Sequence, residues 1–135
     1  LMGDGEIQEG QVWEAAMFAA AKQVDNVIAT IDANGQQIDG STKQVLDGGD
    51  LAAKWTAFGW DVLKMDGNNI PDIMKTMEAA KNASGKGKPV LIIMQTEMGN
   101  GVDFMMHSHK WHGIAPNDEQ LAIALNQNPE TLGDY

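Results

Sequence analysis

The chain contains no cysteine and no arginine. Without thiols, disulfides and thiolate metal sites are excluded. Without arginine, the planar fork that usually grips phosphates and carboxylates is missing, so a sugar phosphate would need its phosphate held by another chain or segment. All nine basic residues are lysines, set against nineteen acids, for a formal charge of −10 and a pI of about 4.4. Nothing supplies the basic stripe that nucleic acid needs. No apolar run reaches the length of a membrane span and no signal peptide is visible. These absences fit a cytoplasmic protein that binds neither nucleic acid nor membrane.

What remains is 135 residues with 43% hydrophobic content, enough for one domain with one core. Leu1-Met2 reads as the stub of an apolar strand, and the chain as the C-terminal piece of something longer. From 11 to 23 runs a helical pattern apolar on nearly every side, as a helix buried all round would be. Residues 26–32 carry Val27-Ile28-Ala29-Thr30-Ile31, the pattern of a strand covered on both faces. Asp50 is placed to cap a helix through Phe58, with Leu51, Trp55 and Phe58 on one face. A strand over 60–65 follows. Then comes a helix with Ile70, Ile73, Met74, Met77 and Ala80 as its apolar stripe. The Gly/Lys/Ser stretch 82–88 lacks phosphate-loop spacing and reads as a solvated connection. Val90 to Met94 is the strongest strand signal. Residues 96–116 show no periodicity, and Asn117 with Gln120 reads as a capping box for a last helix from Asp118 to about Asn126. Alternating strands and helices imply an α/β fold: a parallel sheet with helices on both faces, incomplete at the N-terminus. The domain is expected over 1–126, with 127–135 as a tail. Ligands should bind beyond the carboxyl ends of the strands.

Two turns stand out. Gly3-Asp4-Gly5 opens a helical pattern, and Asn34-Gly35 ends an apolar run, Asn34 lying 30 positions after Asp4. If both turns follow neighbouring parallel strands, a carboxylate, an amide oxygen, spare carbonyls and a helix N-terminus meet at one point. Hard oxygens suit Mg²⁺ or Ca²⁺, and a helix N-terminus suits phosphate. A metal-bound diphosphate answers both needs. An Asn-Gly turn also allows a hairpin, which is disfavoured because the sequence after it does not mirror the strand.

All three histidines, His107, His109 and His112, lie in the aperiodic stretch. They could form an open zinc site, occupy a turn, or, in the case of one near a reacting centre, shuttle protons or bond substrate hydroxyls.

The Gly-Asp-Gly and Asn pairing resembles the thiamine-diphosphate motif. The words from Gly3 to Ala15, Ile38-Asp39-Gly40-Ser41-Thr42 and His109-Lys110-Trp111-His112-Gly113 are similar to transketolase in particular, over nearly the whole chain. The resemblance implies ketol transfer between sugar phosphates, in the pentose phosphate pathway, with thiamine diphosphate and Mg²⁺ (Ca²⁺ as a substitute). Asp4, Asn34 and the carbonyl of Gln36 would bind the metal. The Gly5 amide and Asn34 would contact the diphosphate, and His112 would face thiazolium and substrate. Glu9 and Glu14 would lie near a subunit interface, Glu9 linking to the cofactor. The pyrimidine-binding domain would come from a C-terminal partner subunit in an oligomer, leaving this chain inactive by itself. Gln36 departs from the family's usual apolar residue, and Glu97-Met98-Gly99-Asn100-Gly101 lacks a lysine common in related sequences. The alternatives are another thiamine-diphosphate enzyme, of decarboxylase or deoxyxylulose-phosphate synthase type, or a non-catalytic module of the same fold.

Overall fold

The computed structural model describes residues 1–128; the expected tail beyond Asn128 lies outside them. Four parallel strands, β1 (Met2–Gly3), β2 (Ile28–Ala33), β5 (Asp61–Asp66) and β6 (Val90–Gln95), form a sheet in the order β1-β2-β6-β5. The helices are α1 (Gly10–Ala21), α2 (Thr42–Val45), α3 (Leu51–Ala57), α4 (Ile70–Ala83) and α5 (Asp118–Gln127). A two-residue hairpin, β3 (Gln36–Gln37) with β4 (Gly40–Ser41), follows β2. The Asn-Gly turn thus leads into a hairpin, but one built downstream of it. β2 itself pairs only in parallel.

Strand alternation divides the core. Ile31, Leu91, Ile93, Trp55 and Trp60 meet α1 and α3 on one face. Val90, Ile92, Met65 and Ala80 meet α4 on the other. The chain advances from β1 to β2 to β5, then steps back to β6. Crossovers of one hand therefore put α4 opposite α1 and α3. The parallel sheet with helices on both faces is as the residues imply.

Helix ends obey local chemistry. Asp50 accepts the Ala53 N–H at 3.0 Å, and Asn117 and Gln120 make the reciprocal capping box. Between α1, α3 and β5 sits an aromatic cluster. Trp13 lies 5.5 Å from both Trp55 and Phe58, and Trp55 meets Trp60 edge-on at 4.8 Å. Trp60 Nε1 donates to the Ala16 carbonyl at 3.0 Å, whereas the buried Trp55 Nε1 has no partner among the described residues.

Three expectations of burial need correction. Of α1 only Ala16 is fully buried; Met17 and Phe18 are 50% and 62% exposed. One side of the helix meets the sheet, and no described part of the chain covers the other. β2 is half-buried except at Ile31, because α4 lies over β5 and β6 and leaves β2's second face thinly covered. On α4, Ile73, Met77 and Ala80 pack, but Ile70 and Met74 are exposed, so the buried stripe is narrower than expected.

The tryptophan pair predicts a contrast. Trp60→Phe breaks a made hydrogen bond, while Trp55→Phe removes an unpartnered N–H from the core. Urea unfolding should find Trp60→Phe the more destabilising by about 1 kcal/mol, the net worth of such a bond. Equal losses would show that lost ring volume alone decides both.

Candidate functional site

Parallel register sets the site. Gly3 pairs with Asp32 and Ala33 with Gln95, so β1, β2 and β6 end at one edge. Asp4, Asn34 and Thr96 each follow one of those ends. Asp4 is only 7% exposed, and its Oδ2 accepts the Gly35 N–H at 2.6 Å. Gly35 has φ +75°, a left-handed backbone that glycine adopts at no steric cost, and this conformation belongs to the turn that presents the N–H. Asn34 Oδ1 accepts the Gln36 N–H at 2.8 Å, and the Thr42 N–H closes the hairpin onto the Gly35 carbonyl at 2.9 Å. Asp4 and Asn34 therefore converge as their spacing suggests, and Gln36, which only the family resemblance pointed to, lies in the same turn.

Gly5 does not start a long helix directly. It precedes a 3-10 turn, Glu6–Gln8, and α1 begins only at Gly10. Glu6 Oε2 folds back to accept the Gly3 N–H at 2.7 Å, and the Gln8 N–H bonds the Gly5 carbonyl at 3.2 Å, which tightens the entry. Thus the leading amides beside Asp4 belong to the short turn. Gln8 Nε2 donates to Gln37 Oε1 at 2.7 Å and ties that turn to the hairpin.

The electrostatics are those of a site short of positive charge. Burial, the largest influence, pushes the Asp4 carboxyl above the ordinary aspartate range. The Gly35 N–H pulls against it, the charge of Asp32 raises it further, and the Asn34 and Gln36 amides lower it. No lysine pairs with Asp4 among the described residues. A buried carboxylate near a second carboxylate, with the Asn34 amide oxygen in the adjoining turn, suits a hard divalent cation. A cavity of about 540 Å³ opens beside Asp4, walled by Ile7, Trp13, Leu51 and Phe58, with Lys54 at its lining.

Asp32 and Thr96 belong to no motif in the sequence. Asp32 Oδ1 receives Asn34 Nδ2 at 3.4 Å and the Thr96 hydroxyl. A signal for Asp32 exists: a charge at the end of a buried strand, two residues before the turn asparagine. Thr96 has none, because its partner is 64 residues away. Ile38, 72% exposed at the hairpin tip, is a bare apolar side chain beside the site.

The 96–116 stretch is ordered by its own contacts. Glu97 N–H donates to Asn68, Trp111 Nε1 to the Phe104 carbonyl, and Val102 is buried. The three histidines do not converge. His107 pairs its Nδ1 with Glu97 Oε2 at 2.9 Å, and no group of three His, Asp or Glu side chains among the described residues could hold a metal. The 3-10 turn His109–Trp111 packs against β4, so the histidine word returns to the hairpin. His112 caps that turn and is exposed. Glu9, preceding α1 without a side-chain capping bond, and Glu14 are also exposed.

Residues 1–129 match the family described as transketolase, thiamine diphosphate binding domain. The chain is 41% identical over 132 residues to one subunit of the apulose-4-phosphate transketolase of Phocaeicola vulgatus, covering 98% of this chain and 46% of that one. To a 6-deoxy-6-sulfo-D-fructose transketolase subunit of a Clostridium species it is 41% identical over 125 residues, covering 93% and 45%. It superposes on the transketolase of Campylobacter jejuni with a TM-score of 0.84 and 32% identity, covering 93% of this chain and 20% of that enzyme. The chain thus spans less than half the length of these relatives. Sheet, strand-end turns and sequence agree: the chain belongs to the transketolase family and matches its thiamine-diphosphate-binding domain.

Proposed function

We propose that this chain is the diphosphate-binding part of the N-terminal subunit of a split transketolase, which transfers two-carbon ketol units between sugar phosphates in the pentose phosphate pathway. The observation that carries the reading is the buried Asp4 carboxylate, set against Asn34 and Gln36 with no lysine to neutralise it among the described residues. Asp4 Oδ, Asn34 Oδ1 and the Gln36 carbonyl bind Mg²⁺, with Ca²⁺ as a substitute. The Gly5 amide and Asn34 contact the diphosphate. When bound, thiamine diphosphate supplies the carbanion chemistry of ketol transfer. The protein holds the diphosphate and metal, and the His112 imidazole hydrogen-bonds substrate oxygens as their charge changes.

Two features support a partner chain. The Phocaeicola vulgatus and Clostridium relatives are both named as subunits of their enzymes. The bare α1 face with Met17 and Phe18, flanked by Glu14, suits burial in an oligomer. We assign Glu9 and Glu14 to that interface, with Glu9 reaching the cofactor. The names of those relatives carry a sugar phosphate, apulose 4-phosphate, and a sulfo-sugar, 6-deoxy-6-sulfo-D-fructose. This chain has no arginine, so we assign the grip on such an anion to the partner or to another segment. No described helix is long and apolar enough to cross a membrane, and we place the protein in the cytoplasm.

Calorimetric titration of the complete protein with Mg²⁺ and thiamine diphosphate tests the metal assignment. Asp4→Ala should abolish Mg²⁺-dependent retention of the cofactor; unchanged affinity would sink it. The raised Asp4 pKa adds a pH signature. In metal-free protein the folded state holds this proton to a higher pH than the unfolded state. Between those two values the Asp4 contribution to stability therefore falls as pH rises. Mg²⁺ competes with that proton, so cofactor retention should weaken on acidification at a higher pH than an ordinary carboxylate would dictate. Asp4→Asn should remove its contribution to the metal-free slope, measured by thermal melting across pH.

His112→Ala in the complete enzyme should lower kcat/KM by roughly 10²–10⁴-fold, the usual worth of acid–base assistance, with cofactor affinity changed much less. His107 is the control. Its φ of +60° favours asparagine over alanine as the replacement, and His107→Asn should be mild. Steady-state kinetics in which the two variants behave alike would remove His112 from the chemistry.

The purified 135-residue chain alone should show no ketol transfer in a coupled assay with a ketose phosphate donor and an aldose acceptor. Turnover by it would refute the split-enzyme reading.

A further inference from the structure

The carboxylate of Asp32 has no role in the site so far, yet it stands beside Asp4 and raises that group's cost of ionisation. Its Oδ1 is already taken by two donors. Asn34 Nδ2 approaches it at 3.4 Å, and the Thr96 hydroxyl closes on the same atom. The geometry follows from strand period. Asp32 pairs with Met94 on β6, and Thr96 lies two residues further along, on the same side of the sheet. Gly67, from the end of β5, leaves the room: a Cβ there would collide with the Thr96 methyl. On the far side of the Asn34 amide, Oδ1 accepts the Gln36 N–H at 2.8 Å.

We propose that Asp32, anchored by Thr96, is the positioning residue that fixes the Asn34 amide with its nitrogen held back and its oxygen presented to the metal. The proposal rests on the metal site described above. An asparagine amide offers an oxygen on one side and an N–H pair on the other, and only the oxygen can ligate a cation. A turn asparagine bonded at one end alone can flip at the cost of that bond. An acceptor oxygen behind the nitrogen makes the flip doubly unfavourable, because the flipped amide oxygen would face it. At 3.4 Å the contact is long for a hydrogen bond, so it orients the amide by which atom it accepts and adds little bond strength. Thr96 in turn keeps Asp32 from swinging toward the metal side. The arrangement also joins Asn34 to the start of the 96–116 segment that carries His112.

The test is Mg²⁺ affinity, measured calorimetrically in the complete protein at saturating thiamine diphosphate, with thermal melting of the metal-free protein as the check on folding. Asp32→Ala should weaken Mg²⁺ binding by roughly 10–100-fold, the usual effect of losing a group that orients a metal ligand. Asp32→Asn, whose carbonyl still accepts both donors, should stay within about threefold of wild type on the same reasoning. Thr96→Val should weaken binding and Thr96→Ser should restore it. The metal-free melting temperature of Asp32→Ala should be unchanged or raised, since a like-charge neighbour of Asp4 is gone. If Asp32→Ala and Asp32→Asn lose affinity equally, Asp32 acts only as a charge and the positioning role is wrong. If Asp32→Ala fails to fold, wild-type affinity in Thr96→Val overturns the proposal by itself. Asp4→Ala separates the two levels. Lost affinity there with none lost in Asp32→Ala refutes the positioning alone, and no loss in either refutes the metal site and the positioning together.

Discussion

Everything at the site depends on one contact, the Asp4 carboxylate accepting the Gly35 N–H across two neighbouring strand ends. It joins the turn after β1 to the turn after β2, and it requires the left-handed Gly35 backbone and the Gly3–Asp32 register together. A slip of one residue would move the side chains of β2 to the opposite face and break the site and the core at once. The carboxylate remains poorly solvated and faces Asp32, a standing cost in the absence of a cation. The scaffold must carry that cost.

The scaffold does so through layers of unequal quality. β6 is the most deeply buried strand, with Val90, Leu91 and Ile92 fully enclosed between β2 and β5. The aromatic cluster locks α3 and β5 to α1, and Trp60 reaches the α1 backbone. Those contacts fix the sheet whose β1, β2 and β6 ends carry Asp4, Asn34 and Thr96. The outer side of α1 carries no such packing among the described residues. The interior is thus tightly packed beneath the edge that carries Asp4 and Asn34, while the outer side of α1 is bare apolar surface among the described residues.

The charge pattern has the same logic. With lysines as the only strong cations and none of them paired with Asp4 among the described residues, the site is left acidic. Such a field favours cations over anions at this edge of the sheet.

Much of this was legible in the residues alone. Periodicity placed β2, β5, β6, α1, α3 and α5 to within two residues, because apolar period reports burial directly, but it gave no sign of α2 or the β3–β4 hairpin. Asp50 and the Asn117–Gln120 box marked helix starts, because capping is local chemistry. The Gly-Asp-Gly and Asn-Gly turns pointed to one edge, because parallel strands deliver their carboxyl ends together. Other features were decided only in three dimensions. The apolar composition of α1 could not tell a helix buried by its own chain from one left for a partner, since hydrophobicity records that a face is to be covered and not by what. The distance from Gly5 to the first turn of α1 depended on Glu6 folding back to Gly3. The three histidines share one aperiodic stretch but do not converge, because His107 pairs with Glu97 instead. Thr96 met Asp32 across 64 residues, a contact that no local pattern encodes, since strand order and register bring the two together and neighbouring residues do not.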